Sequence, residues 1–126
     1  YQLEAALQSA HVHRRITGGD NWRDVVALYD ALLSLTGSPV IAINRALAVA
    51  EIEGPATALA LLEALAADGR LASYQPYWAA RATLSARTGA IDEAAHAYGI
   101  AIGLEHDPAV RRFLEARRAA LGAAED

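Results

Sequence analysis

Four histidines are the residues best suited to metal chemistry in this 126-residue sequence, which contains no cysteine. A bound divalent ion needs imidazoles, thiolates or carboxylates converging on one point. His11 and His13 are two apart, which on a helix turns them to different faces. His96 and His106 are ten apart, and neither a His-Glu-x-x-His motif nor a paired Asp/Glu cluster accompanies any of the four. They read as isolated surface or core-edge histidines. Nucleophilic chemistry finds as little, because there is no Gly-x-Ser-x-Gly elbow and no thiol. Gly18-Gly19 has no following lysine and no preceding strand, so it reads as a loop breaker rather than a phosphate cradle. The expectation is a protein that is not an enzyme, with no catalytic residue, no metal and no cofactor.

The elements around these residues are helical. The stretch Tyr74 to Pro108 reads as two helices joined at Gly89. Trp78, Ala82 and Ser85 share one line on the first, and Ala94, Tyr98 and Ala101 share one face of the second. An aromatic facing alanines lets two antiparallel helices approach closely. Trp followed by Gly eleven residues on, then by Ala, Tyr and Ala, is the tetratricopeptide (TPR) pattern. Further helices are expected over residues 1–15, over Trp22–Leu35 and over Pro39–Glu53. Others are expected over Ala56–Ala67 and from Ala109 to Leu121. Gly37, Gly54-Pro55 and Asp68-Gly69 mark the stops, and Ser38 and Asp107 mark starts. Laying Tyr29 on Tyr98 also lays Leu35 on Leu104 and Pro39 on Pro108, a shift of 69 residues. That is about twice the 34-residue TPR period. The expected fold is all-α, a single domain over residues 1–126: a TPR-like superhelix of three helical hairpins plus a C-terminal capping helix. Trp22, Tyr29, Trp78, Tyr98 and Phe113 are expected to be largely buried.

Within that frame the polar pair Asn44-Arg45, inside VIAINRALAVA, has two readings. A buried Asn or Arg is costly unless its hydrogen bonds are met. In one reading Asn44 bonds a neighbouring helix's backbone and Arg45 pairs with Glu4 or Asp30. In the other, Asn44 faces a groove. The first helix of each hairpin lines the concave side of a TPR stack, which sets Arg14, Asn44, Ala48, Thr83 and Arg87 along a partner-binding groove. Arg111, Arg112, Arg117 and Arg118 crowd the last helix around Glu115, as a solvated, salt-bridged face or a dock for an acidic partner.

Composition narrows the function further. Hydrophobic residues make up 54% of the chain, and they are mostly alanine and leucine. No apolar run is long enough to span a bilayer and no signal peptide opens the sequence, which together with the absence of cysteine leads to a cytoplasmic expectation. There is no methionine, so the chain is expected to be a fragment of something longer. A net charge of −4 argues against direct nucleic-acid binding.

Several blocks in a fixed order carry a more specific likeness. They are YQLEAALQSAH, DNWRDVVALYDALLSL, SPVIAINRALAVAEIEGPATALALLEAL, YQPYWAARATLSARTG and RRFLEARRAAL. The whole chain resembles the C-terminal TPR-like extension of bacterial extracytoplasmic-function (ECF) RNA polymerase sigma factors. Gln75 stands where that group has His, and Thr83 where it has Asp. The resemblance implies a regulatory, protein-interaction domain supporting transcription initiation through protein contacts. Its implied partners are the N-terminal sigma regions of the same polypeptide, with the RNA polymerase core or a regulatory protein as further candidates. No direct nucleic acid and no membrane is implied. The alternative from the residues alone is a free-standing TPR-like peptide-binding adaptor unrelated to transcription.

Overall fold

The computed structural model describes residues 21–122. The fold is all-α. Six α-helices follow one another: α1 (Trp22–Thr36), α2 (Pro39–Glu53), α3 (Pro55–Ala64), α4 (Gln75–Arg87), α5 (Ile91–Leu104) and α6 (Pro108–Ala119), with no strand among the described residues. The expected first helix, with Arg14, His11 and His13, lies outside the described residues. Among those that are described, no helix is long and apolar enough to cross a membrane.

The helix ends follow local chemistry. Gly37 closes α1 in the left-handed region at φ 62°, its N–H donating to the Leu33 carbonyl. Ser38 then accepts from the Ile41 N–H through its side chain at 3.5 Å, and Pro39 supplies the first turn of α2. The same device recurs 69 residues later, where Asp107 accepts from the Ala109 N–H at 2.8 Å and Pro108 opens α6. Between α3 and α4 the chain departs from the expected helix over Ala56–Ala67. The α-helix stops at Ala64 and tightens into a 3-10 turn over Leu65–Ala67. A second 3-10 turn, Gly69–Leu71, follows because Asp68 caps it, accepting from the Arg70 N–H at 3.0 Å. Hydrogen bonds from Arg70 also hold the Asp68 carboxyl below the usual carboxylate range.

Gly54 joins α2 to α3 at φ 93° and ψ 164°, a conformation that is essentially restricted to glycine. A Cβ there would meet nothing within 4 Å, so the cost of a side chain is purely conformational. Gly54→Ala is expected to lower stability by about 1–3 kcal/mol, read by urea denaturation. A loss below about 0.5 kcal/mol would mean the connection simply readjusts.

Each helix packs on the next in sequence, most extensively α4 on α5, and α2 also reaches α4 past the intervening α3. Three apolar clusters result. Val25, Tyr29 and Leu32 of α1 meet Ala48 of α2. Ile43, Ala46 and Ala50 of α2 join Leu62, Leu71, Tyr77 and Leu84. Ala82 of α4, Ala97, Tyr98 and Ala101 of α5 and Leu114 of α6 form the third.

The aromatic residues are less uniformly buried than expected. Tyr29 and Tyr98 are buried, Trp22 and Trp78 are half-buried, and Phe113 is 61% exposed. Phe113 is exposed because α6 packs on its neighbours through Val110 and Leu114 instead. The 69-residue shift sets α6 beside α2. Ile43, Ala46 and Ala50, buried on α2, correspond to Arg112, Glu115 and Ala119, which are exposed on α6. That face of α6 is thus polar where the matching face of α2 is apolar. The salt bridges expected there are not formed. Glu115 pairs with none of the four arginines, and Arg118 lies over Gly99 of α5 while Arg117 lies 5.9 Å from the Phe113 ring centroid.

Candidate protein-binding groove

Four of the five residues assigned to the groove converge on one cavity. Its volume is about 310 Å³, and Asn44, Ala48, Thr83 and Arg87 all line it. Arg14 lies outside the described residues. Trp22 and Tyr29 of α1, Leu47 and Glu51 of α2, and Leu84 of α4 complete the walls. The cavity forms because α2 and α4, the first helices of successive hairpins, lie side by side, with α1 flanking α2.

Thr83 donates to the Ala79 carbonyl at 3.0 Å, leaving its oxygen free to accept. Arg87 approaches Glu51 at 3.6 Å, and both side chains are about 40% exposed. Such an exposed pair contributes only about 0.2–1 kcal/mol and yields readily to a partner. Asn44 is half-buried on the cavity wall, and among the described residues its amide has no hydrogen-bond partner. Burial pushes the Tyr29 phenol up, keeping it a neutral hydroxyl.

Arg45 belongs to a different surface. Its guanidinium pairs with Asp30 of α1, and it lines a separate cavity with Arg23 and Glu53. Asn44→Ala is therefore expected to stay within about 0.5 kcal/mol of the parent stability. Arg45→Ala should lose up to about 1 kcal/mol, the contribution of a partly exposed ion pair. Urea titrations of the two variants check this, and the opposite ranking would make Asn44 the packing residue.

Gln75 and Thr83 do not touch the same surroundings. Eight residues apart, they are separated by about 12 Å along α4. The Gln75 amide donates to the Glu105 carboxylate at 3.0 Å, tying the start of α4 to the end of α5. One further pair escaped the sequence reading. The 69-residue shift lays Phe113 on Asn44 and Arg117 on Ala48, so the exposed Phe113 with Arg117 over its ring continues the groove positions onto α6. The repeat register contained that signal, which the expectation of a buried phenylalanine obscured.

Among the described residues no group of three or more His, Asp or Glu is placed to hold a metal ion. His96 and His106 are both exposed and line separate cavities. No protein-family model matches the chain, and no solved structure matches it. An uncharacterized protein of Rhizobium meliloti is 38% identical over 104 residues, covering 82% of this chain and 24% of that protein. The chain spans about a quarter of the length of the relative it matches.

Proposed function

We propose that this chain is a protein-interaction domain whose groove between α1, α2 and α4 binds a polypeptide segment. The observation that carries this reading is the convergence of Asn44, Ala48, Thr83 and Arg87, distant in sequence, on one cavity. Such a stack presents side chains from a rigid surface, so a helix or extended segment docks with little ordering cost to the scaffold.

The domain's setting is a C-terminal TPR-like extension of an ECF-type sigma factor in the cytoplasm. Support comes from the ordered sequence blocks quoted above, and a likeness confined to a quarter of a longer relative suits an appended domain. The domain then acts through contacts with the sigma regions ahead of it, or with the polymerase core or a regulatory protein. A net charge of −4 leaves duplex DNA as a poor partner.

In vitro transcription with core RNA polymerase tests the proposal, comparing the full-length factor with one lacking residues 1–126. Promoter-specific transcription is expected to be lost on truncation although the remaining protein folds. The isolated domain is expected to show no measurable duplex affinity at physiological salt. Full activity without the domain would favour a free-standing adaptor role, and tight duplex binding by the domain alone would overturn the reading.

A further inference from the structure

A second cavity, of about 350 Å³, opens between α4 and α5 and shares no lining residue with the groove. Trp78, Arg81 and Ser85 of α4 form one side, and Asp92, Glu93 and His96 of α5 face them. The volume is within the range of small-molecule sites.

The two walls carry opposite charges that do not meet. The Arg81 guanidinium lies 5.3 Å from the Trp78 ring centroid and 5.9 Å from that of Tyr77. Among the described residues it forms no salt bridge with Asp92 or Glu93, and neither carboxylate pairs with another cation. Ser85 lines the same cavity and is 3% exposed, and its hydroxyl makes no hydrogen bond among the described residues. Thr36 and Thr83 each donate to the carbonyl four residues back. A hydroxyl that lines the cavity without a protein partner is available to a bound polar group.

We infer that this cavity binds a small zwitterion of the amino-acid class, its ammonium group held by Asp92, Glu93 and the Ser85 oxygen and its carboxylate by Arg81. A simple amine would leave the guanidinium unneutralised, and a simple carboxylate would face two like charges. A molecule with both groups satisfies both walls, and its apolar part has the Trp78 ring to pack on. Ser85, His96 and Asp92 are also the residue types of a nucleophilic relay, but no hydrogen bond links them, so the cavity offers charges rather than a relay. Because α4 also lines the groove, occupancy here would brace the helix that carries Thr83 and Arg87.

The test is a thermal-shift screen of the 126-residue chain with each of the twenty proteinogenic amino acids. Calorimetry follows on the strongest, beside the amine and the carboxylic acid that share its side chain. At least one amino acid is expected to bind saturably, with both half-ligands roughly tenfold weaker or worse, the scale of a lost charge-assisted hydrogen bond. Ser85→Ala should weaken binding about five- to tenfold and Arg81→Gln roughly tenfold or more, with circular dichroism confirming that each variant is folded. No binding by any of the twenty would overturn the inference. So would an amine that binds as tightly as its amino acid, or affinities unchanged in both folded variants. None of these outcomes bears on the transcription assay, so the two proposals stand or fall separately.

Discussion

Tyr77→Ala is expected to cost about 3–5 kcal/mol, the range for removing a buried aromatic ring. Tyr77 is 1% exposed and joins residues of three helices, with Ile43 from α2, Leu62 from α3 and Leu84 from its own helix in the same cluster. Its ring also meets Trp78 edge-on at 5.3 Å with an interplanar angle of 82°. The hydroxyl donates to the Leu62 carbonyl at 2.8 Å, which ties α4 to the last turn of α3. Tyr77→Phe separates the ring from the hydroxyl. That variant should lose only about 1 kcal/mol, because the Leu62 carbonyl also accepts from the Leu65 N–H and keeps a partner. Urea denaturation of both variants measures the difference. Equal losses would place the stability in the hydrogen bond, and a loss below about 1 kcal/mol for alanine would mean the three helices hold together without this ring.

The helix boundaries at Gly37, Ser38-Pro39, Gly54-Pro55 and Asp107-Pro108 were legible from their capping residues. Ser38-Pro39 and Gly54-Pro55 bracket α2 at the positions the sequence indicates, because proline fits a first turn and the glycine adopts a conformation other residues avoid. The end of α3 was not legible. Nothing in LEALAAD separates an α-helical turn from the 3-10 turn the chain adopts there. Tyr77 was overlooked for a related reason. A single apolar stripe identifies one buried face, and Trp78, Ala82 and Ser85 supplied it. However, α4 lies between α3 and α5 and buries two faces, so its apolar residues do not form one stripe.

The two cavities differ in the same way. The groove follows the repeat register, so Asn44, Ala48, Thr83 and Arg87 could be grouped from the sequence alone. The zwitterion cavity depends on how α4 and α5 pair across the turn at Gly89, which no repeat encodes. Of its residues, His96 read as an isolated histidine and Ser85 as part of a packing line, and nothing marked Asp92 or Glu93.

Ala82→Leu is expected to destabilise by about 1–3 kcal/mol, through overpacking rather than a lost contact. Ala82, Ala94 and Ala101 are each 0% exposed, and with Ala97 they let α4 and α5 approach closely around Tyr98. Larger atoms at position 82 must push the helices apart, since neighbouring rings and methyl groups leave no void. Ala60→Leu, on the exposed surface of α3, is the matched control and should stay within about 0.5 kcal/mol of the parent. The substitution at 82 should also reach beyond stability. Thr83 lines the groove and Ser85 the second cavity, on different sides of the same helix, so displacing α4 moves both. Partner binding and amino-acid binding should therefore weaken together in Ala82→Leu, whereas Ser85→Ala should weaken only the second. Calorimetry on the folded variants, below their melting transitions, reads both affinities. If Ala82→Leu lost stability yet kept both affinities, the groove and the cavity would not depend on the close packing of α4 against α5.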